Sequence, residues 1–442
     1  MGNFLSEFPE RKALLEWYKN TVSKIDNTGS NGKITGKGKL PAGKGNNTSG
    51  KGKIAAVNGN VPAVNGHIHS PYSFSAFDDL EQAFRMASDE GVKVLGINDF
   101  NSTKGYDLFH DLSLQYKVFP LFNIEFMGLL EGEQKKGIRI NDPNNPGRIY
   151  FSGKGLDYPV SWKEGSRQKV QRIIDESHRQ VRAMTDKLNG LVQNLDPAMQ
   201  LDFDDIEKRY TRGMVRERHL ARSLREMLFE RLKTEEAIRA FLNKLYGNSG
   251  STADINDSAA LENEIRGRLL KAGGAAFVEE DAGAFLNLEE ITGIITDGGG
   301  VPCYPVLLDD ASGNFTEFEA DPESLYQVLR SRGVFSIELI PGRNDLAILK
   351  KFVSFFRERD FVVLYGTEHN TPSLDPVTVS ARGGAELDRE LMETSYLGAC
   401  VIAAHQYLRA KGETGYVSFP GREIKKEFEE LGKAVIERFI KL

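Results

Sequence analysis

From residue 64 onward the chain repeatedly places ionisable residues where apolar, strand-like runs end, and this pattern limits the fold more than any other feature. VNGHIHS closes an apolar run with His67 and His69. Residues 78–90 follow as a helix with Leu80, Phe84 and Ala87 on one face, stopped by Gly91. VKVLGIN is a buried strand ending at Asn98 and Asp99, residues 105–116 form the next helix, and VFPLFNIE is a third strand ending at Glu125. Strands alternating with helices in this way predict a parallel sheet with right-handed crossovers. Side chains that follow the strand ends of a parallel barrel converge on one face, which is where such barrels build their sites.

The remaining chain divides around this pattern. Residues 1–63 contain an amphipathic helix over 8–25, with Leu14, Leu15, Tyr18 and Val22 at helical spacing. A Gly/Lys/Asn-rich stretch around 27–54 follows, too poor in apolar side chains to offset its ordering entropy, and is expected to be a flexible linker. Residues 64–160 hold the first part of the barrel, with 131–159 read as loop because of NDPNNPGR. Residues 161–292 are dominated by helical patterns and are read as an insertion. Residues 293–442 resume the alternation with GVPCYPVLL, VFSIELI and FVVLYG and end in further helices. The insertion carries Arg212, Arg216, Arg218, Arg222, Arg225 and Arg231 in one stretch. Arginine forks suit phosphate, but Glu217, Glu226 and Glu230 are interleaved, which favours a salt-bridged, solvated helix.

Composition removes several classes of function. No run in the 442 residues approaches the length a membrane-spanning helix needs, and the N-terminus shows no apolar secretory region. Two cysteines, Cys303 and Cys400, cannot form a multi-bridge framework or a thiolate zinc site, which fits a cytoplasmic protein. A formal net charge of −6 argues against a dedicated nucleic-acid binder. The polar residues at the strand ends, His67, His69, Asn98, Asp99, Glu125, Glu368 and His369, mix imidazoles with carboxylates. That donor set suits Zn, Mn or Fe better than Mg, and the H-x-H spacing points both rings the same way from one strand.

NGHIHSPYSFSAF, LGINDFN and PLFNIEF resemble the motifs of the polymerase and histidinol phosphatase (PHP) superfamily: an opening HxHxxxS, a TDH-type turn and a GxE-type strand end. The resemblance covers residues 64–128 and 294–372. It implies an α/β fold, a distorted (β/α)7 PHP-like barrel interrupted by the mostly helical insertion and preceded by the flexible N-terminal segment. It also implies a cluster of two or three metal ions driving phosphoester hydrolysis. By the same resemblance His67 and His69 are the first metal ligands, Ser73 is the motif serine, Asp99 belongs to the turn, and Glu125 is the glutamate that bridges metals. GTEHN, residues 366–370, falls where the family shows a GSDxH-type sequence.

The departures from that pattern are specific. Phe100 and Tyr304 stand where ligand histidines are common, Glu368 replaces an aspartate, and Asn370 takes the place of the last histidine, with His369 one position earlier. The resemblance therefore implies one or two divalent ions on His67, His69, Glu125, Glu368 and His369, with Asp99 or His369 handling a proton. The expected function is a metal-dependent phosphoesterase acting on a phosphorylated small molecule. The alternative is a barrel that lost catalysis and binds a ligand or partner.

Overall fold

The computed structural model describes residues 3–29, 61–371, 373–416 and 421–442. The stretch expected as a flexible linker lies outside them, apart from its first residues, which end α1 (Arg11–Gly29). Seven strands follow one another around a single sheet: β1 (Ala63–Ile68), β2 (Val92–Phe100), β3 (Phe119–Leu129), β4 (Arg148–Lys154), β5 (Val301–Val306), β6 (Ser336–Leu339) and β7 (Val362–Tyr365). β1–β2–β3 and β5–β6–β7 pair in parallel. The sheet nearly closes where β1 meets the residues after β7. The backbone N–H of His69 donates to the Glu368 carbonyl at 2.7 Å, and Thr367 and Glu368 donate back to the His67 carbonyl at 3.1 and 3.0 Å. The barrel thus joins at the two sequence segments richest in candidate ligands.

The helices between the strands follow from local signals. α2 (Leu80–Asp89) starts where the Asp79 side chain accepts from the backbone of Gln82, and it ends before Gly91, whose φ of +77° an L side chain rarely adopts. It buries Leu80, Ala83, Phe84 and Ala87. α3 (Tyr106–Tyr116) links β2 to β3. α4 (Glu131–Lys135) precedes β4, in a region read from sequence as loop. That reading is corrected: β4 is a strand, antiparallel to both β3 and β5, so the sheet is mixed rather than all parallel. Its apolar run, IYF, is too short to show alternation, and the turn residues before it dominate the pattern. With no crossover helix long enough to return the chain between β3 and β4, antiparallel pairing is the available geometry.

Between β4 and β5 lie α5 (Glu164–Gln193), α6 (Phe203–Tyr210), α7 (Glu217–Leu232), α8 (Glu235–Leu245) and α9 (Ser258–Ile265). They form a core of their own, with Leu188, Leu220, Leu224, Leu228, Leu242 and Leu261 buried together. α10 (Leu288–Asp297), opened by a reciprocal Asn287–Glu290 cap, instead buries Leu288, Ile291, Ile294 and Ile295 in the barrel core. The boundary expected at residue 292 therefore falls inside a barrel helix. α11 (Pro322–Ser331) and α12 (Leu346–Glu358) are the crossovers of the second half.

α13 (Arg389–Ala410) and α14 (Arg422–Ile440) pack with α1 against the outer side of β1, β2, β3 and β7 through Val64, Val94, Leu121 and Leu364. No helix among the described residues is long and apolar enough to cross a membrane. Within α13, His405 is fully buried and satisfied at both nitrogens. Its Nε2 faces the Gly299 carbonyl at 2.7 Å, and its Nδ1 accepts from the Tyr416 backbone N–H at 2.8 Å. Burial lowers this imidazole to about 4. Because the folded value lies below the unfolded one, the neutral ring stabilises the fold fully above about pH 6.5, and the contribution drains away as pH falls toward 4. The whole effect is about 3 kcal/mol. Urea titrations at pH 7 and pH 4.5 should show His405→Gln losing less stability on acidification than the wild type. Equal losses would count against this assignment.

Candidate metal centre

Three strand ends bring three donor atoms to one point. β1 presents His67 and, one residue past its end, His69; β3 presents Glu125. The His67 and His69 Nε2 atoms are 3.2 Å apart, and Glu125 Oε2 lies 3.9 Å from the first and 3.4 Å from the second. All three residues are buried. Among the described residues this is the one group of three His, Cys, Asp or Glu whose ligand atoms all lie within 4.8 Å of one another. Donors held by one tetrahedral ion at about 2.1 Å stand about 3.4 Å apart. The observed separations bracket that value, so the donors fit a single divalent ion.

The outer contacts fix which nitrogen of each ring is free. His67 Nδ1 is 2.9 Å from Glu338 Oε2, a carboxylate that can only accept, so Nδ1 carries the proton. On the other ring, His69 Nδ1 is 3.3 Å from Ser73 Oγ, whose hydroxyl donates to Asp99 Oδ1 at 2.7 Å. With its proton committed to Asp99, Ser73 accepts from His69. Both Nε2 lone pairs therefore face Glu125, and the Asn98 amide nitrogen stands 3.0 Å from the Nε2 of His67. Second contacts of this kind are what orients metal-ligating histidines. Burial lowers the His69 imidazole to about 4 against the pull of Asp99, which keeps it neutral. Burial likewise pushes the Glu125 carboxyl up to about 8, opposed by His67 and Lys154.

Two residues missed in the sequence complete the floor of the barrel. Lys154, at the end of β4, and Glu338, in β6, are both buried, with Nζ 2.5 Å from Oε2. Lys154 also donates to Asn98 Oδ1 at 3.1 Å, while Ser152 Oγ donates to Glu338 Oε1 at 2.5 Å. Burial alone would raise the Glu338 carboxyl, but Lys154 and His67 outweigh it and hold it well below the usual carboxylate range. A single charge inside an otherwise apolar strand such as SIELI was the available signal, since a buried carboxylate requires a partner.

The other expected residues are placed as follows. Asp99 is held by the backbone and hydroxyl of Ser70 at 2.7 and 2.5 Å and by Ser73, behind His69 rather than in the open site. Burial raises its carboxyl in spite of these bonds. Glu368 lines the cavity, with its carboxylate bonded to Arg343 and to Asn370 Nδ2. Burial would push it up, yet Arg343, His67 and His69 bring it down. His369 is not brought to the cluster. Its Nδ1 faces Thr367 Oγ1 at 2.7 Å, its Nε2 faces the Asp375 carbonyl at 2.8 Å, and Phe77 stacks on the ring. Glu368 and His369 both adopt positive φ, 62° and 55°, so the turn that closes the barrel is locally strained. At the departures from the family pattern, Phe100 stacks on His69 with ring centroids 4.7 Å apart. Tyr304 donates to buried Glu319 at 2.7 Å.

Above the cluster opens a cavity of about 930 Å³ shared by the barrel mouth and the insertion. The insertion's wall includes Arg216, Arg218, Arg266 and Lys271. Glu217 answers Arg266 at 2.9 Å and Arg216 at 3.7 Å. Arg218 bonds instead to the Asn370 backbone carbonyl and lies over the Phe74 ring, 4.3 Å from its centroid. Burial, then Arg266, lowers Arg218 to about 10, still charged at neutral pH, and the Lys271 amine is lowered by the same two causes. The arginine-rich stretch thus splits in two. Arg222, Arg225 and Arg231 pair with Glu226, Glu262 and Asp196 away from the site, while Arg216 and Arg218 face the cavity.

No family model matches the chain, and no curated protein matches it in sequence. Among solved structures it is similar to an amidohydrolase from Chromobacterium violaceum with bound sulfate and no metal, at 15% identity and a TM-score of 0.48, covering 75% of this chain and 96% of that one. It is also similar to a protein described as a metal-dependent phosphoesterase from Bifidobacterium adolescentis, at 14% identity and a TM-score of 0.46, covering 77% and 97%. Likenesses of this size say nothing about what this chain acts on.

Proposed function

We propose that the chain is a metal-dependent hydrolase, and that its substrate is a phosphorylated small molecule. The observation that carries the first part is the convergence of His67 Nε2, His69 Nε2 and Glu125 Oε2, with both Nδ1 atoms committed elsewhere. These three residues would hold one divalent ion of the Zn, Mn or Fe type. When bound, such an ion supplies Lewis acidity and activates water at neutral pH. The chain's own residues do the rest. Glu338 and the Ser73–Asp99 pair keep the two imidazoles oriented, which makes Asp99 a positioning residue. Glu368, at the rim and paired with Arg343, is the carboxylate on hand to accept a proton. Phe100 shields one face of His69 from solvent.

The phosphate part of the reading is supported by the wall opposite. Arg216, Arg218, Arg266 and Lys271 face the cavity there beside Glu217, while Glu280 on the same wall is paired with Arg148, so this wall presents its guanidinium and ammonium groups to an anionic substrate. Hydrolysis of an aryl phosphate, an aryl ester and an anilide by metal-loaded protein tests both parts together. Chelator-sensitive turnover of the phosphate alone is the expected result. Turnover of the ester or anilide alone would keep the hydrolase and remove the phosphate. Arg218→Gln is expected to raise KM for the phosphate about 10- to 100-fold, the worth of one charge-assisted hydrogen bond, with metal content unchanged. An unchanged KM would take Arg218 out of substrate binding.

A further inference from the structure

Lys154 is completely buried in the barrel, a position a lysine holds only when its charge is used. Its ammonium stands 2.5 Å from Glu338 Oε2, the same oxygen that receives His67 Nδ1 at 2.9 Å. Asn98 Oδ1 is its second acceptor, and the amide nitrogen of that side chain sits 3.0 Å from His67 Nε2. Ser152 occupies the other Glu338 oxygen. A second metal ion in this part of the barrel would need Glu338 as a ligand, and it would meet an ammonium already bonded to that carboxylate. The remaining nearby carboxylate, Glu368, is turned to Arg343 and Asn370. Tyr304, a position where a further ligand was sought in the sequence, is committed to Glu319.

We propose that the Lys154 ammonium is the fixed second cation of this centre, so that the cluster takes a single divalent ion, and that through Glu338 it holds His67 in its ligating tautomer. The proposal rests on the metal-site reading above. In it Lys154 is a positioning residue: it touches neither ion nor substrate, and acts by holding Glu338 aimed at Nδ1. Removing the ammonium leaves Glu338 buried without its counter-charge. The carboxylate then loses the contact that aims it at Nδ1, and the His67 tautomer is no longer fixed.

The test is titration of metal-free protein with Zn²⁺ and with Co²⁺, by calorimetry and by the visible absorption of bound Co²⁺. The wild type is expected to bind about one ion per chain with the spectrum of a four-coordinate site. Lys154→Met is expected to weaken binding about 10- to 100-fold and to alter the Co²⁺ band at saturation. The double variant Lys154→Met/Glu338→Gln leaves no lone buried charge, so it keeps the fold if the single variant does not, and it should show the same loss. Two tightly bound ions in the wild type would overturn the proposal. So would a folded variant with wild-type affinity and spectrum. No bound ion in the wild type would sink the metal-site reading itself, whereas one ion in every variant at equal affinity would sink only the role of Lys154.

Discussion

Replacing His67 by alanine should lower kcat/KM for a phosphate ester by on the order of a thousandfold or more. A divalent ion supplies several kcal/mol of charge stabilisation in the transition state, and each 1.36 kcal/mol is a factor of ten in rate. The loss should come with loss of metal and not with loss of the fold. His67 sits where the barrel closes, and its backbone carbonyl, which the substitution leaves in place, carries the bonds to Thr367 and Glu368. Steady-state kinetics beside a thermal melt checks this. His69→Gln, on the neighbouring ring, is expected to behave alike. A folded His67→Ala protein with activity within a few-fold of the wild type would mean that chemistry takes place elsewhere.

Gly432→Ala is expected to destabilise the protein by roughly 3 kcal/mol, the upper range for forcing atoms into a filled core. α14 crosses α13 so closely that a Cβ built at Gly432 would lie 1.8 Å from the Cys400 carbonyl oxygen, which is backbone and cannot swing aside. The only offset is the helix preference of alanine, about 1 kcal/mol. Gly190 is the internal contrast. It lies on the exposed face of α5, and a Cβ there meets nothing within 4 Å. Gly190→Ala should therefore stabilise by up to about 1 kcal/mol. Denaturant midpoints moving in opposite directions would confirm the packing of α13 on α14. A neutral Gly432→Ala would mean that the two helices stand further apart.

What the sequence made legible was whatever sits at the end of a long apolar run. His67, His69 and Glu125 are separated by two regular strand–helix units, and the alternation that predicts those units also predicts that their ends meet. β4 escaped because its apolar run is short and preceded by turn residues, and Lys154 escaped with it. A lysine reads as exposed unless the strand around it is recognised. Glu338 was visible only as one charge in SIELI, and its partners lie 184 and 271 residues away in the chain. The insertion was recognised as helical, but helical spacing does not say which arginines turn inward. Arg216 and Arg222 look alike in the sequence, and only the packing of α7 over the barrel mouth gives the first a cavity and the second a glutamate. His369 shows the opposite failure. Its place in GTEHN suggested a ligand, while the local turn engages both of its nitrogens.

His67 and His69 at the end of β1 and Glu125 on β3 should together hold a divalent ion. The transition-metal content of the protein purified without chelator, measured by elemental analysis beside His67→Ala prepared in parallel, decides this. Zn, Mn or Fe near one per chain is expected in the wild type and almost none in the variant. Equal metal in both would place the ion elsewhere. None in either, even after reconstitution with each metal, would rule out a metal centre here and leave the barrel as a binding protein whose donors face one another without an ion.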